Sequence, residues 1–337
     1  MNSNFFKSSL LLAGLMSATA SVMAGPVERA AVVDDPAWVA HLDVDALRKS
    51  IVGAHILSEL HKPEKELQLF VLQAALGSDL RTALHGITVY GVSPKPADGV
   101  ALIYADINAE RLTALARQAE DYQATSHGQH QIASWIDAKR REKEGGAPRT
   151  YAAIYQDRLV IFGQQESRVA EALDVLDKTK PGLAKSVFPK FGAGEPEVIQ
   201  AAARQMDVPE GDPRAAILKL SKLVNLDVRE SDGKVLGNLF LETKTEEAAR
   251  QVADVARGII AIMGLQTDNP DAVKLSKSLS VEQTGVNATV KLNIPADDIV
   301  AAIKANAAKE AAKKAAADKA ADDKAAEEKV AEDKGKK

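Results

Sequence analysis

Along this chain a short β-rich run, a polar break, and then apolar residues at three- and four-residue spacing follow one another repeatedly. "VAHLDVDALRKS", from Val39 to Ser50, is the first instance. It is echoed by "LIYADINAERLTALARQA" from Leu102, "LVIFGQQESRVAEALDVL" from Leu159, "NLFLETKTEEAARQVADVA" from Asn238 and "VKLNIPADDIVAAI" from Val290. Hairpin signals lie between them, as in "LDVRESDGKVLGNLFLE", where Asp-Gly separates two alternating runs.

The pattern predicts an α+β fold of two tandem modules, residues 25–180 and 196–304. Each is an antiparallel sheet with helices on one face, loosely ferredoxin-like. Strands joined by short turns pair antiparallel, which argues against a parallel doubly wound sheet. "KTKPGLAKSVFPKFGAGEP", rich in Pro, Gly and Lys, reads as the linker. At each strand exit a capping residue is expected, with Asp45 in the slot held by Asn108 and Thr245 in the echoes.

The modules differ in how their strands alternate. In the second, Val286, Ala288, Val290, Leu292 and Ile294 share one side, while Asn287, Thr289, Lys291 and Asn293 share the other. One face of that sheet should be wet. The first module is apolar on both sides of its strands, and Tyr90, Tyr104, Tyr151 and Tyr155 should share a face. Something must cover it: the second module, a loop, a second subunit or a ligand.

The N-terminus adds an address. Lys7 precedes an apolar run from Leu10 to about Ala20 and then Val22-Met23-Ala24, the layout of a secretory signal peptide over residues 1–24. Export to the periplasm or beyond the cell is expected. No later stretch is long enough to span a bilayer, so no transmembrane anchor is expected in the mature chain. The 337 residues include no cysteine, which removes disulfides, thiolate metal sites and cysteine nucleophiles. The net charge of −4 includes Lys7 and a tail, 305–337, that nets +1. The remainder therefore carries −6, which disfavours nucleic acid as a partner. In the tail, lysines recur at 314, 319, 324, 329 and 334 among alanines and acids. That composition predicts a low-complexity helical or disordered spacer.

Candidate chemistry is sparse. His41, Asp43 and Asp45 could open a metal or acid–base site, but the sequence offers no further ligand or partner motif beside them. His127 and His130 have H-x-x-H spacing within a polar loop and lack the glutamate of a zinc helix. No nucleophile elbow, β-lactamase signature or phosphate-binding loop occurs. Lys139, Arg140, Arg141 and Lys143 form the one basic cluster, expected as a solvated hairpin loop that could dock an acidic partner.

Three segments, "AWVAHLDVDALRKSIVGAHIL", "ITVYG" and "LVIFGQQESRVAEALDVLD", resemble those of a diffuse group of uncharacterised exported bacterial proteins with repeated strand–helix modules. The resemblance implies export and a repeated α+β architecture, and it carries no catalytic or binding residue. The reading is therefore a non-enzymatic exported interaction or scaffold protein without a cofactor. Its partner would be another envelope protein or a second copy of itself. The alternatives are a hydrolase or metal-dependent enzyme near His41, Asp43 and Asp45, and a binding protein for a small apolar ligand between the modules.

Overall fold

The computed structural model describes residues 27–60, 73, 77, 79–193, 197–204 and 219–309. The expected signal peptide, most of the tail and part of the linker lie outside the described residues. The strands are β1 (Trp38–Asp43), β2 (Leu84–Gly91), β3 (Gly99–Ala105), β4 (Gln123–His127), β5 (His130–Ile136), β6 (Arg149–Tyr155) and β7 (Leu159–Gly163) in the first half. The second half has β8 (Ile199–Ala203), β9 (Ser221–Ser231), β10 (Lys234–Thr243), β11 (Leu279–Thr284) and β12 (Asn287–Pro295). Among them come the helices α1 (Val44–Lys49), α2 (Ile51–Leu60), α3 (Leu80–Ala83), α4 (Ala109–Ala116), α5 (Ala138–Glu144) and α6 (Glu166–Leu176). α7 (Glu246–Gly264) and α8 (Pro270–Lys277) follow in the second half, and a last helix runs over 296–309.

The antiparallel α+β class holds, but the two halves do not build separate sheets. One twelve-stranded sheet runs β11-β12-β10-β9-β8-β1-β2-β3-β7-β6-β5-β4. The seam is β1 against β8, with His41 opposite Gln200 and Val39 opposite Ala202. Every neighbouring pair is antiparallel. Local turn chemistry sets the hairpins: Asp232 and Gly233, both at positive φ, join β9 to β10, as a two-residue I′ turn requires.

Helices cover both faces, not one. On the first face α6 buries Val169, Ala172, Leu173 and Val175 against Leu102, Ile132 and Ile161. The short 3-10 turn Arg29–Ala31 packs beside it. Leu183, Phe188 and Phe191 belong to the same core, so the segment expected as a linker is a lid over the centre of the sheet. Arg29 ties it down, donating to the carbonyls of Ala184 (2.5 Å), Phe188 (2.9 Å) and Phe191. A side chain at Gly182 would stand 2.7 Å from the Ala30 backbone, so only glycine permits that approach.

On the second face α7 covers the far half, where Val252 and Ala253 meet Leu241 and Ala288. α4 lies over β5–β7 and, unlike α6, has no buried residue. Caps appear where the polar breaks fall. Asn108 Oδ1 accepts from Arg111 N–H, and Thr245 Oγ1 accepts from Ala248 N–H. The first helix departs from the expectation. Its N-cap is Asp43, whose Oδ1 accepts from Ala46 N–H at 2.8 Å. Asp45 sits a residue inside the helix and pairs with Arg48. The helix starts directly at the end of β1, without the one- or two-residue break that separates β3 from Asn108 and β10 from Thr245, which moves the cap to Asp43.

Asp43 is buried, and burial raises its pKa while the Ala46 bond opposes the rise. Asp43→Asn keeps the accepting oxygen without the charge, so it should change stability by less than about 0.5 kcal/mol. Asp43→Ala removes the acceptor and should cost about 1–2 kcal/mol in urea denaturation. Equal losses from the two would refute the cap.

Candidate functional site

The feature best suited to hold a molecule is a cavity of about 450 Å³ between α4 and the second face of β5–β7. It exists because small residues sit where large ones would be expected. Ala133 on β5 pairs with Ala152 on β6, which pairs with Phe162 on β7. The strand side chains there are too short to reach the helix. Leu112, Leu115 and Ala116 hang over the gap from α4, and Tyr122 lies just beyond it. Trp135 and Phe162 wall one end, ring centroids 6.5 Å apart and planes at 88°, an edge-to-face contact that fixes both rings. The polar groups among its walls, Thr113, Gln131 and Tyr122, are all uncharged. A volume in the range of roughly 300–1,000 Å³, apolar walls and few polar groups are the usual attributes of a small-molecule site.

The residues singled out from the sequence go elsewhere. Tyr90, Tyr104, Tyr151 and Tyr155 do share a face, but it is the first face, under α6 and the 182–193 segment. Tyr90 is 1% exposed, and burial pushes its phenol well above the ordinary tyrosine range. They build core and offer no docking surface, because the chain itself supplies the cover. The Tyr155 hydroxyl donates to the Leu176 carbonyl at 3.1 Å, pinning the end of α6.

His41, Asp43 and Asp45 do not converge. His41 is buried, with Nδ1 2.9 Å from Thr88 Oγ1. Asp45 points away to His85, 3.0 Å from its Nδ1, and Asp106 stands 3.2 Å from the other ring nitrogen of His85. His127 and His130 separate as well: each meets an aspartate of α6 or its C-cap, Asp174 at 2.7 Å and Asp177 at 2.8 Å. Spacing of three in the hairpin matches spacing of three on the helix, so the pairs clamp β4–β5 to α6. The His127 bond is the main reason the Asp174 carboxyl lies below the usual range. Among the described residues no three His, Cys, Asp or Glu side chains gather as a metal site.

The basic cluster is a helix, α5, not a hairpin loop, because Asp137 caps it by accepting from Arg140 N–H at 3.1 Å. Arg141 is bidentate to Glu120, at 2.5 and 2.7 Å. Arg140 lines a smaller hollow of about 260 Å³ with Trp38, Asp137 and Phe162.

The cavity residues Ala133, Ala152 and Phe162 carried no motif. The available signal was the run of alanines on strands whose second side is otherwise apolar, opposite a helix of modest size.

No family model and no curated protein matches the chain. Three solved structures of TP0453 are similar in fold. Crystal form III has a TM-score of 0.46 at 10% identity, covering 82% of this chain and 97% of that one. Form I gives 0.45 at 10% identity, covering 82% and 96%. Form IV gives 0.44 at 8% identity, covering 83% and 97%.

Proposed function

We propose that the protein is an exported, non-enzymatic binding protein that holds one small apolar molecule under α4. The observation that carries the reading is the cavity itself. An eight-residue helix with no buried residue spans it, and that helix lacks the packing a guest would supply. The site belongs to the first half of the sheet, not to a gap between two modules. Export rests on the leader-like N-terminus, and among the described residues no helix is long and apolar enough to cross a membrane.

A second reading, an interaction module for another envelope protein, draws on Val255, Ile259, Ile262 and Leu265. These apolar side chains of α7 and its C-terminus are 38–78% exposed. Exposed apolar groups in one place favour a partner surface.

The cavity reading is tested with N-phenyl-1-naphthylamine, a neutral apolar dye that brightens out of water. Wild type should bind it saturably at one site and quench Trp135. Ala152→Phe fills the space from the sheet side and should abolish uptake with no loss of melting temperature. Dye binding undiminished in Ala152→Phe, or no saturable binding by folded wild type, would sink the proposal.

A further inference from the structure

We propose that the Trp135–Phe162 ring pair is the length stop of the site under α4, and that the guest is an unbranched alkyl chain with a small uncharged head. This deepens the binding reading above and rests on it. The register lays out the cavity floor: Ala133, Ala152 and Phe162 form one row across β5, β6 and β7. Trp135 stands two residues along β5 from Ala133, opposite Thr150. By strand spacing and rise the Trp135 and Phe162 backbones are about 12 Å apart, yet their ring centroids lie at 6.5 Å. The rings therefore lean together over β6, where the short side chain of Ala152 leaves them room. Beyond them the same face continues. Phe162 also lines the 260 Å³ hollow, whose floor includes Ala101, its partner on β3, and Val89, the partner of Ala101 on β2. Phe162 is thus a partition between two spaces.

The opposite corner of the cavity is at Gln131, two residues from Ala133 on the side away from Trp135 and exposed to solvent. From Gln131 to Phe162 is two strands across and two residues along, about 12 Å. An extended chain advances about 1.2 Å per bond, so about ten carbons reach the stop. The volume agrees. At about 30 Å³ for a water-sized group, 450 Å³ holds about fifteen, enough for that chain and a small head. None of the wall residues is charged. A charged head inside would lose its hydration and find no counter-charge, so the head is neutral and lies at the Gln131 corner. The edge-to-face contact holds both rings in place. A longer chain must leave its extra carbons in water.

Displacement of N-phenyl-1-naphthylamine by straight-chain 1-alkanols, from hexanol to tetradecanol, reads the stop. In wild type each methylene should tighten binding about fourfold up to about ten carbons, after which affinity should level off. Phe162→Ala removes the partition and should carry the rise on to tetradecanol. Phe162→Ala combined with Val89→Phe refills the hollow and should restore the break at about ten carbons. Val89→Phe alone should leave the wild-type series unchanged, because the chain ends before the hollow. That variant tests the stop even where Phe162→Ala does not fold. A rise that continues through tetradecanol in wild type, a break left unmoved in F162A, no break in the double variant, or weaker decanol binding in V89F would each overturn the stop. In those events dye and hexanol would still bind, and the cavity reading would stand. Failure of the dye and every alkanol to bind folded wild type would overturn both.

Discussion

Phe188→Ala should cost about 3–5 kcal/mol of unfolding free energy, the range for removing a fully buried aromatic ring. Phe188 has no exposed surface and lies in the core with Leu102 and Ile161. Two features place the loss toward the upper end. Arg29 holds the Ala184, Phe188 and Phe191 carbonyls, so the backbone cannot sink into the space that the ring leaves. Leu183 is tied as well, its N–H reaching the Val32 carbonyl at 2.8 Å. A site that cannot collapse keeps its cavity and the full penalty. In urea titration the midpoint should fall with the slope unchanged, since the surface exposed on unfolding hardly differs. Lys185→Ala, an exposed neighbour, should stay within about 0.5 kcal/mol of wild type. A loss below about 1 kcal/mol at Phe188 would mean that the segment is the loose connector its composition suggests.

That segment shows where the sequence stops being legible. Pro, Gly and Lys dominate 178–193 by count, and a linker is the ordinary reading. Three large apolar residues, Leu183, Phe188 and Phe191, decide its fate, and they follow no helical or strand period. Local chemistry was readable. The hairpin at Asp232-Gly233, the caps at Asn108 and Thr245 and the shared tyrosine face each depend on residues within one or two elements. The joining of the halves depends on β1 pairing with β8, some 160 positions apart, and alternation within either strand does not encode its partner. The cavity was hidden for a related reason. Ala133 and Ala152 look like ordinary strand residues until α4 is placed over them at a height set by larger side chains. Asp43 and Asp45 could be told apart only once the start of the helix at Val44 was known.

The stability of the protein should carry a pH-dependent component from His41 worth roughly 3 kcal/mol between neutral pH and pH 4. His41 is 4% exposed, and burial lowers its pKa to about 4 from the ordinary value of 6.5. Thr88 Oγ1 lies at its Nδ1, Gln200 stands opposite on β8, and Asp43 follows two residues along the same face of β1. As pH falls below 6.5 the unfolded chain takes up a proton that native His41 refuses, so the folded state loses ground. The loss grows until about pH 4, where the native ring also titrates. A difference of 2.5 pH units, at 1.36 kcal/mol each, sets the size. Other buried groups act in the opposite sense. The Glu197 carboxyl is raised to about 7, first by burial and then by Asp227, and Asp43 is also raised by burial. Acid relieves both, which masks His41 in wild type alone. The comparison must therefore be between wild type and His41→Gln, each unfolded in urea at pH 7.5 and pH 4. Wild type should lose about 3 kcal/mol more than the variant across that interval. Parallel curves would show that the imidazole is reached by water in the native state.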